Sequence, residues 1–158
     1  MLSIAAQRQC PTIPPNKDER EEHKKMRGFI PYQNEDGRVC PWEYLPCSSI
    51  TPKLGMALAL ASGKLVIATG AMKPAFISMV EKSAAVSTGE IIPVIRVQPD
   101  QVFECTNCAS LAGINIGSKV TLHASNGMQV TGTTSSGVAE IVAKDGDAAG
   151  SRVLVRFN

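Results

Sequence analysis

Aromatic side chains are scarce in this chain: they make up 4% of it, with one tryptophan, two tyrosines and four phenylalanines. So few flat rings leave little for bases to stack on, which weighs against a single-strand nucleic-acid platform. Charge of one sign is missing as well. The formal net charge is +2, and no basic stripe gathers along the chain to attract phosphates. No apolar run approaches the roughly 20 residues of a membrane-crossing helix. The opening MLSIAAQRQC lacks the continuous apolar core of a secretory leader, so secretion is not expected. The 5 cysteines are an odd number, which argues against a fully paired disulfide framework and for synthesis in a reducing cytoplasm.

Reaction chemistry is equally thin. There is no phosphate-binding glycine loop and no nucleophile elbow. His23 and His123 have no local ligand or catalytic companion, and the carboxylates Glu81, Glu90, Asp100 and Glu104 are scattered. The expectation is a chain without a catalytic residue or cofactor. Cys105-Thr106-Asn107-Cys108 has CxxC spacing, and Cys40 with Cys47 would complete a four-thiolate site. Zinc modules usually repeat the tight spacing, whereas six residues separate the second pair, so the expectation is no metal, with these four as the only candidates.

What is present is a period-two pattern. From Met56 to Val97 apolar and small residues alternate: Met56, Leu58 and Leu60 fall on one face, Ala57 and Ala59 on the other. Ser62-Gly63 breaks the run and Leu65 and Ile67 resume it, which reads as a tight β-hairpin. Turn signals then recur about every eight to twelve residues, the rhythm of an all-β fold. Pro93 interrupts the expected strand 90–97 and implies an edge position or a bulge. Segments 119–124 and 128–133 flank Ser125-Asn126-Gly127, another hairpin signal. Segments 138–143 and 152–157 flank a polar loop, and Val153, Val155 and Phe157 share one face of the last strand. No internal repeat is convincing. The predicted fold is mainly β, a small β-barrel or β-tulip-like domain over residues 51–158.

Composition changes near residue 50. Before it fall the tryptophan, both tyrosines, nearly half of the charged residues and six of the 10 prolines. Residues 1–50 therefore read as an extended N-terminal arm rather than a core of their own. Within the arm, Asn16 can cap one short helix with Asp18 and Glu19 in its first turn, Lys24, Lys25 and Arg27 in its last, and Gly28 as its stop. The stretch FIPYQNEDGRVCPWEYLPC is apolar for an arm. Its rings either pack back on the barrel or anchor the arm to another subunit.

The succession Gly63-Lys64-Leu65, Lys73-Pro74, the strand 76–80, Gly89-Glu90 and Pro93-Val94 resembles the head decoration (capsid cement, or auxiliary) proteins of tailed bacteriophages, including the lambda type. VTLHASNGMQVTG and GVAEIVAKDGDAAGSRVLVRF are similar to decoration proteins of other tailed phages. The resemblance covers residues 51–158; the arm is not part of its minimal pattern.

The resemblance implies a non-enzymatic virion protein, made in the host cytoplasm, that binds the outer surface of an icosahedral head. It would cement neighbouring major capsid subunits, as a homotrimer, with no membrane and no direct nucleic-acid contact. Ile4, Ile13, Ile30, Tyr32, Trp42 and Tyr44 are the candidate contacts with neighbouring subunits. The alternatives are a small zinc- or nucleic-acid-binding β-barrel module, and a fibre-base or receptor-binding virion protein.

Overall fold

The computed structural model describes residues 27–34 and 36–158. Ile4, Ile13 and the helix expected from Asn16 lie outside the described residues, except that Arg27 and Gly28 are described and are not helical. The chain is mainly β. Its strands run β1 (Ile30–Asn34), β2 (Trp42–Pro46), β3 (Ala57–Ala61), β4 (Lys64–Ile67), β5 (Phe76–Ser78), β6 (Ile91–Arg96), β7 (Gln101–Asn107), β8 (Lys119–Val120), β9 (Gln129–Val130), β10 (Ala139–Lys144) and β11 (Arg152–Phe157). No helix occurs among the described residues.

Two sheets form. One is five-stranded in the order β2-β6-β5-β3-β4; the other runs β1-β7-β11-β10-β8, with β9 pairing β7. In the first, a parallel bridge from Cys47 to Leu65 brings the end of β2 against β4. In the second, an antiparallel bridge joins Leu122 to Val130, and β9 runs parallel to β7. Successive neighbours thus lead from β2 through β6, β5, β3 and β4 back to β2, and from β7 through β11, β10, β8 and β9 back to β7, with β1 added beside β7.

The two sheets repeat one topology. Matching β2, β3, β4, β5 and β6 to β7, β8, β9, β10 and β11 reproduces each neighbour and its direction. The loops repeat too, about 60 residues apart. The amide of Ser48 donates to Leu65 O at 2.9 Å, and that of Cys108 to Val130 O at 2.8 Å. Cys47 N donates to Glu90 O and Asn107 N to Ser151 O, at 2.9 and 3.2 Å. Gly89 N donates to Cys47 O and Gly150 N to Asn107 O, at 2.7 and 2.8 Å. Gly55 N donates to Ser78 O at 2.9 Å, Gly117 N to Ile141 O at 2.8 Å. Ser78 N to Met56 O is matched by Ile141 N to Ser118 O, and Ala75 N to Leu58 O by Val138 N to Val120 O. Gly55, Gly117, Gly89 and Gly150 all have positive φ, which only glycine adopts without strain. The expectation of no internal repeat is corrected: the chain is a structural duplication.

Alternation explains the packing. Leu58, Leu65, Phe76, Ile92 and Val94 share one core enclosed by the five-stranded sheet. Their neighbours Ala57, Ala59, Ile77 and Ile95 face the other way and join the core of the second sheet, with Phe103, Ile141, Val153, Val155 and Phe157. Alanines on that face let the sheets approach closely. The hairpin read at Ser62-Gly63 is present, with φ of 50° and 73°. That primed turn matches the twist of β3 and β4.

Two further expectations are corrected. Pro93 is neither on an edge strand nor at a bulge, because β6 lies between β2 and β5. Met79 N donates to Pro93 O at 3.0 Å, the reciprocal bond has no donor, and β5 ends there. Residues 29–34 and 42–47 are also built into the sheets rather than standing apart as part of an arm. Phe29 is buried edge-on to Phe157 with ring centroids 5.1 Å apart, β1 pairs β7, and β2 pairs β6. Composition misled because both strands leave much of their length exposed, Pro31, Tyr32 and Gln33 in β1 and Trp42 and Tyr44 in β2.

Candidate functional site

The scarce aromatics segregate completely. All four phenylalanines are buried, whereas Tyr32, Trp42 and Tyr44 are 52%, 54% and 64% exposed. These three rings sit on β1 and β2. Trp42 and Tyr44 are two residues apart and so project from the same face of β2. Tyr32 occupies the irregularity between Pro31 and Gln33 in the β1–β7 ladder. Val39, 92% exposed, and Ile91, across from Pro46 at 61% exposure, extend the apolar surface at either end. An open groove of about 410 Å³ connects Tyr32, Val39 and Trp42 over a floor that includes Met79 and Ile95.

Arg38 lines the groove, and the charged side chains on and around β1, β2 and β6 are paired with one another. Arg38 Nε lies 2.9 Å from Asp36, and Arg96 grips Glu43 through two bonds of 2.8 Å. That fork raises the Arg96 pKa, through the Glu43 hydrogen bond first. Arg152 lies 2.9 Å from Glu104, which likewise raises its pKa, and its guanidinium sits 5.3 Å from the Tyr32 ring centroid. Lys82 pairs with Glu90 beside Ile91. With its cations already paired, this face offers aromatic and aliphatic contact more than a field.

The duplication shows how unusual the face is. Tyr44 pairs Pro93 as Glu104 pairs Leu154, Pro46 pairs Ile91 as Thr106 pairs Arg152, and Trp42 pairs Ile95 as Val102 pairs Arg156. The second half thus carries a laced set of ions where the first carries rings and aliphatics. Arg152 contacts Glu104 and Asp145, and Arg156 contacts Glu140. One outer face is solvated; its twin is apolar.

Of the contacts expected from sequence, the structure brings Tyr32 and Trp42 to one groove and sets Tyr44 beside Trp42. Ile30 is only half-exposed, its position in β1 paired with Glu104. Val39, Met79 and Ile91 were missed. Val39 and Ile91 sit in strands or turns where sequence reads them as core, and only the fold shows which side they take.

The four cysteines do not assemble. Cys47 belongs to the core of the first sheet and Cys105 to that of the second. Among the described residues no group of three or more His, Cys, Asp or Glu is arranged to hold a metal ion. Burial pushes the thiol pKa of Cys105 far up, with Glu104 adding to it; Cys47 and Cys108 are raised by burial too. Cys47 and Cys105 are thiols of the core, where burial favours the protonated form. His123 lies beyond β8, where its Nδ1 accepts from the Ser125 amide at 3.2 Å and closes a turn. Comparison with protein-family models gives no match, and comparison with curated proteins gives none either.

Proposed function

We propose that this chain is a non-catalytic decoration protein of a tailed-phage head, which binds the outside of the capsid and clamps neighbouring major capsid subunits. The observation that carries the reading is the exposure of Tyr32, Trp42 and Tyr44 together on a body whose phenylalanines are all internal. Tyrosine and tryptophan rings dominate the energetics of protein interfaces, and exposed apolar patches mark contact sites. In this reading each sheet is a small closed barrel; the Cys47–Leu65 and Leu122–Val130 bridges support that closure. Two such barrels side by side form a stiff block suited to resisting the pressure of packaged genome. The assembled form is a homotrimer, and repetition of weak contacts around a shell gives avidity.

The test is to add the purified full chain to heads that lack it, pellet them, and image them by electron microscopy. Density on the outer capsid surface, reduced by Trp42→Ala or Tyr44→Ala, is expected. Absence of loading, or density on tail or fibre instead, overturns the reading.

A further inference from the structure

The duplication makes each half a reference for the other, and one position differs. Strand β7 has β11 on one side. On its other side β9 covers Thr106 and Asn107, while β1 covers Gln101–Glu104. Strand β2 has β6 on one side, and on the other only the Cys47–Leu65 bridge, the counterpart of Asn107–Val130. The backbone edge of β2 at 42–45 corresponds to the edge that β1 fills. Among the described residues no strand pairs with it.

We propose that this edge of β2 is a strand-acceptor site, which takes one extended segment of a partner protein by β-augmentation. The second half supplies the precedent: there an extended IPYQN segment occupies the same place. Main-chain bonds give such docking its affinity, and alternate side-chain positions give its specificity. The exposure of the rings follows. Val102 and Glu104, which correspond to Trp42 and Tyr44, are half-covered beside β1, whereas Trp42 and Tyr44 have no such neighbour. A strand laid along 42–45 runs its own side chains beside both rings. Cys47 N donates to Glu90 O on the β6 side, so by alternation the backbone groups of Trp42 and Tyr44 are those that face the free edge. The balanced Glu43–Arg96 pair nearby favours an uncharged, β-forming segment over an acidic or basic one. A capsid subunit as donor rests on the function proposed above; the acceptor edge does not.

Trp42 is the chain's only tryptophan, so its emission reports on this edge alone. The probe is a synthetic peptide with the uncharged sequence of residues 28–34, titrated into the full chain to about 1 mM. A saturable shift of Trp42 emission is expected, with slowed amide exchange within 42–45 and unchanged exchange within 101–104. The same peptide N-methylated at alternate positions is expected to lose the shift. No saturable change, a shift that survives N-methylation, or exchange changes at 101–104 (displacement of β1) each overturns the proposal. Peptide binding without head loading sinks the capsid reading and leaves the acceptor edge standing; head loading without peptide binding does the reverse.

Discussion

Gly28 and Gly55 pack backbone against backbone. A Cβ at Gly55 would lie 2.8 Å from the Gly28 carbonyl carbon, and one at Gly28 would come closer still to the Gly55 carbonyl. The Phe29 amide donates to Gly55 O at 2.6 Å across this contact. The joint fixes where the chain enters β1. Gly28→Ala should therefore cost about 2–3 kcal/mol by forcing the strands apart, and Gly55→Ala more, because its φ is also +79°. Thermal unfolding of both variants checks the order.

Gly89 and Gly150 test the duplication. Each has a left-handed φ, 91° and 85°, and open space where a methyl group would stand. Alanine at either should cost about 1–2 kcal/mol for the backbone conformation alone, and the two costs should agree. Urea unfolding of the two variants makes the comparison; unequal losses would separate the halves energetically.

Removing residues 1–50 should abolish folding, contrary to what a free arm would allow. The cut deletes β1, β2 and Phe29, and with Cys47 it removes the bridge to Leu65. Phe29→Ala alone should cost about 3–5 kcal/mol as a large buried ring lost from a packed core. Circular dichroism of the truncated chain and of the point variant reads both.

Lys144 threads its ammonium among backbone carbonyls, donating to Leu111 O at 3.2 Å and Ile114 O at 2.8 Å, with Asp147 as counter-charge. Lys144→Met should strip those carbonyls of their donor at a cost of about 1–3 kcal/mol. Amide exchange should quicken through 111–117 before the rest of the chain.

The Glu90 carboxyl is held below its ordinary range, chiefly by the Lys82 hydrogen bond and against the effect of burial. A depressed carboxyl stabilises the fold above its unfolded pKa, and that contribution is lost as pH falls through the lowered folded value. In Lys82→Met the Glu90 titration should move up, and the acid-side loss of stability assigned to this pair should shrink. A carboxyl-resolved NMR titration follows the first, melting against pH the second.

Sequence was legible wherever a single strand settles the matter. Val153, Val155 and Phe157 alternate inward as their spacing requires, and Ser62-Gly63 could serve no other turn so well. It was opaque wherever pairing decides. Pro93 looked disruptive because the length of β5 is not written near it. The two halves carry Cys47 and Asn107, or Tyr44 and Glu104, at matched positions, so side-chain identity hides a shared hydrogen-bond scheme. Gly55 with Gly117 and Gly89 with Gly150 mark it, but glycines at turns are common. In the candidate face, the rings were identifiable by type, but Ile91 and Val39 needed to be seen from outside.

The duplicated strand order carries a hazard during folding. β2 and β7 meet equivalent neighbours, and the halves are linked by residues 97–100 and by the chain running from β1 to β2, so a strand can be captured by the wrong half or by another molecule, the route to domain-swapped dimers. Ring size guards against the exchange. Phe29, Phe103 and Phe157 cluster in one interior, and a visiting strand that presents Leu45 where Cys105 belongs brings the wrong volume to that cluster.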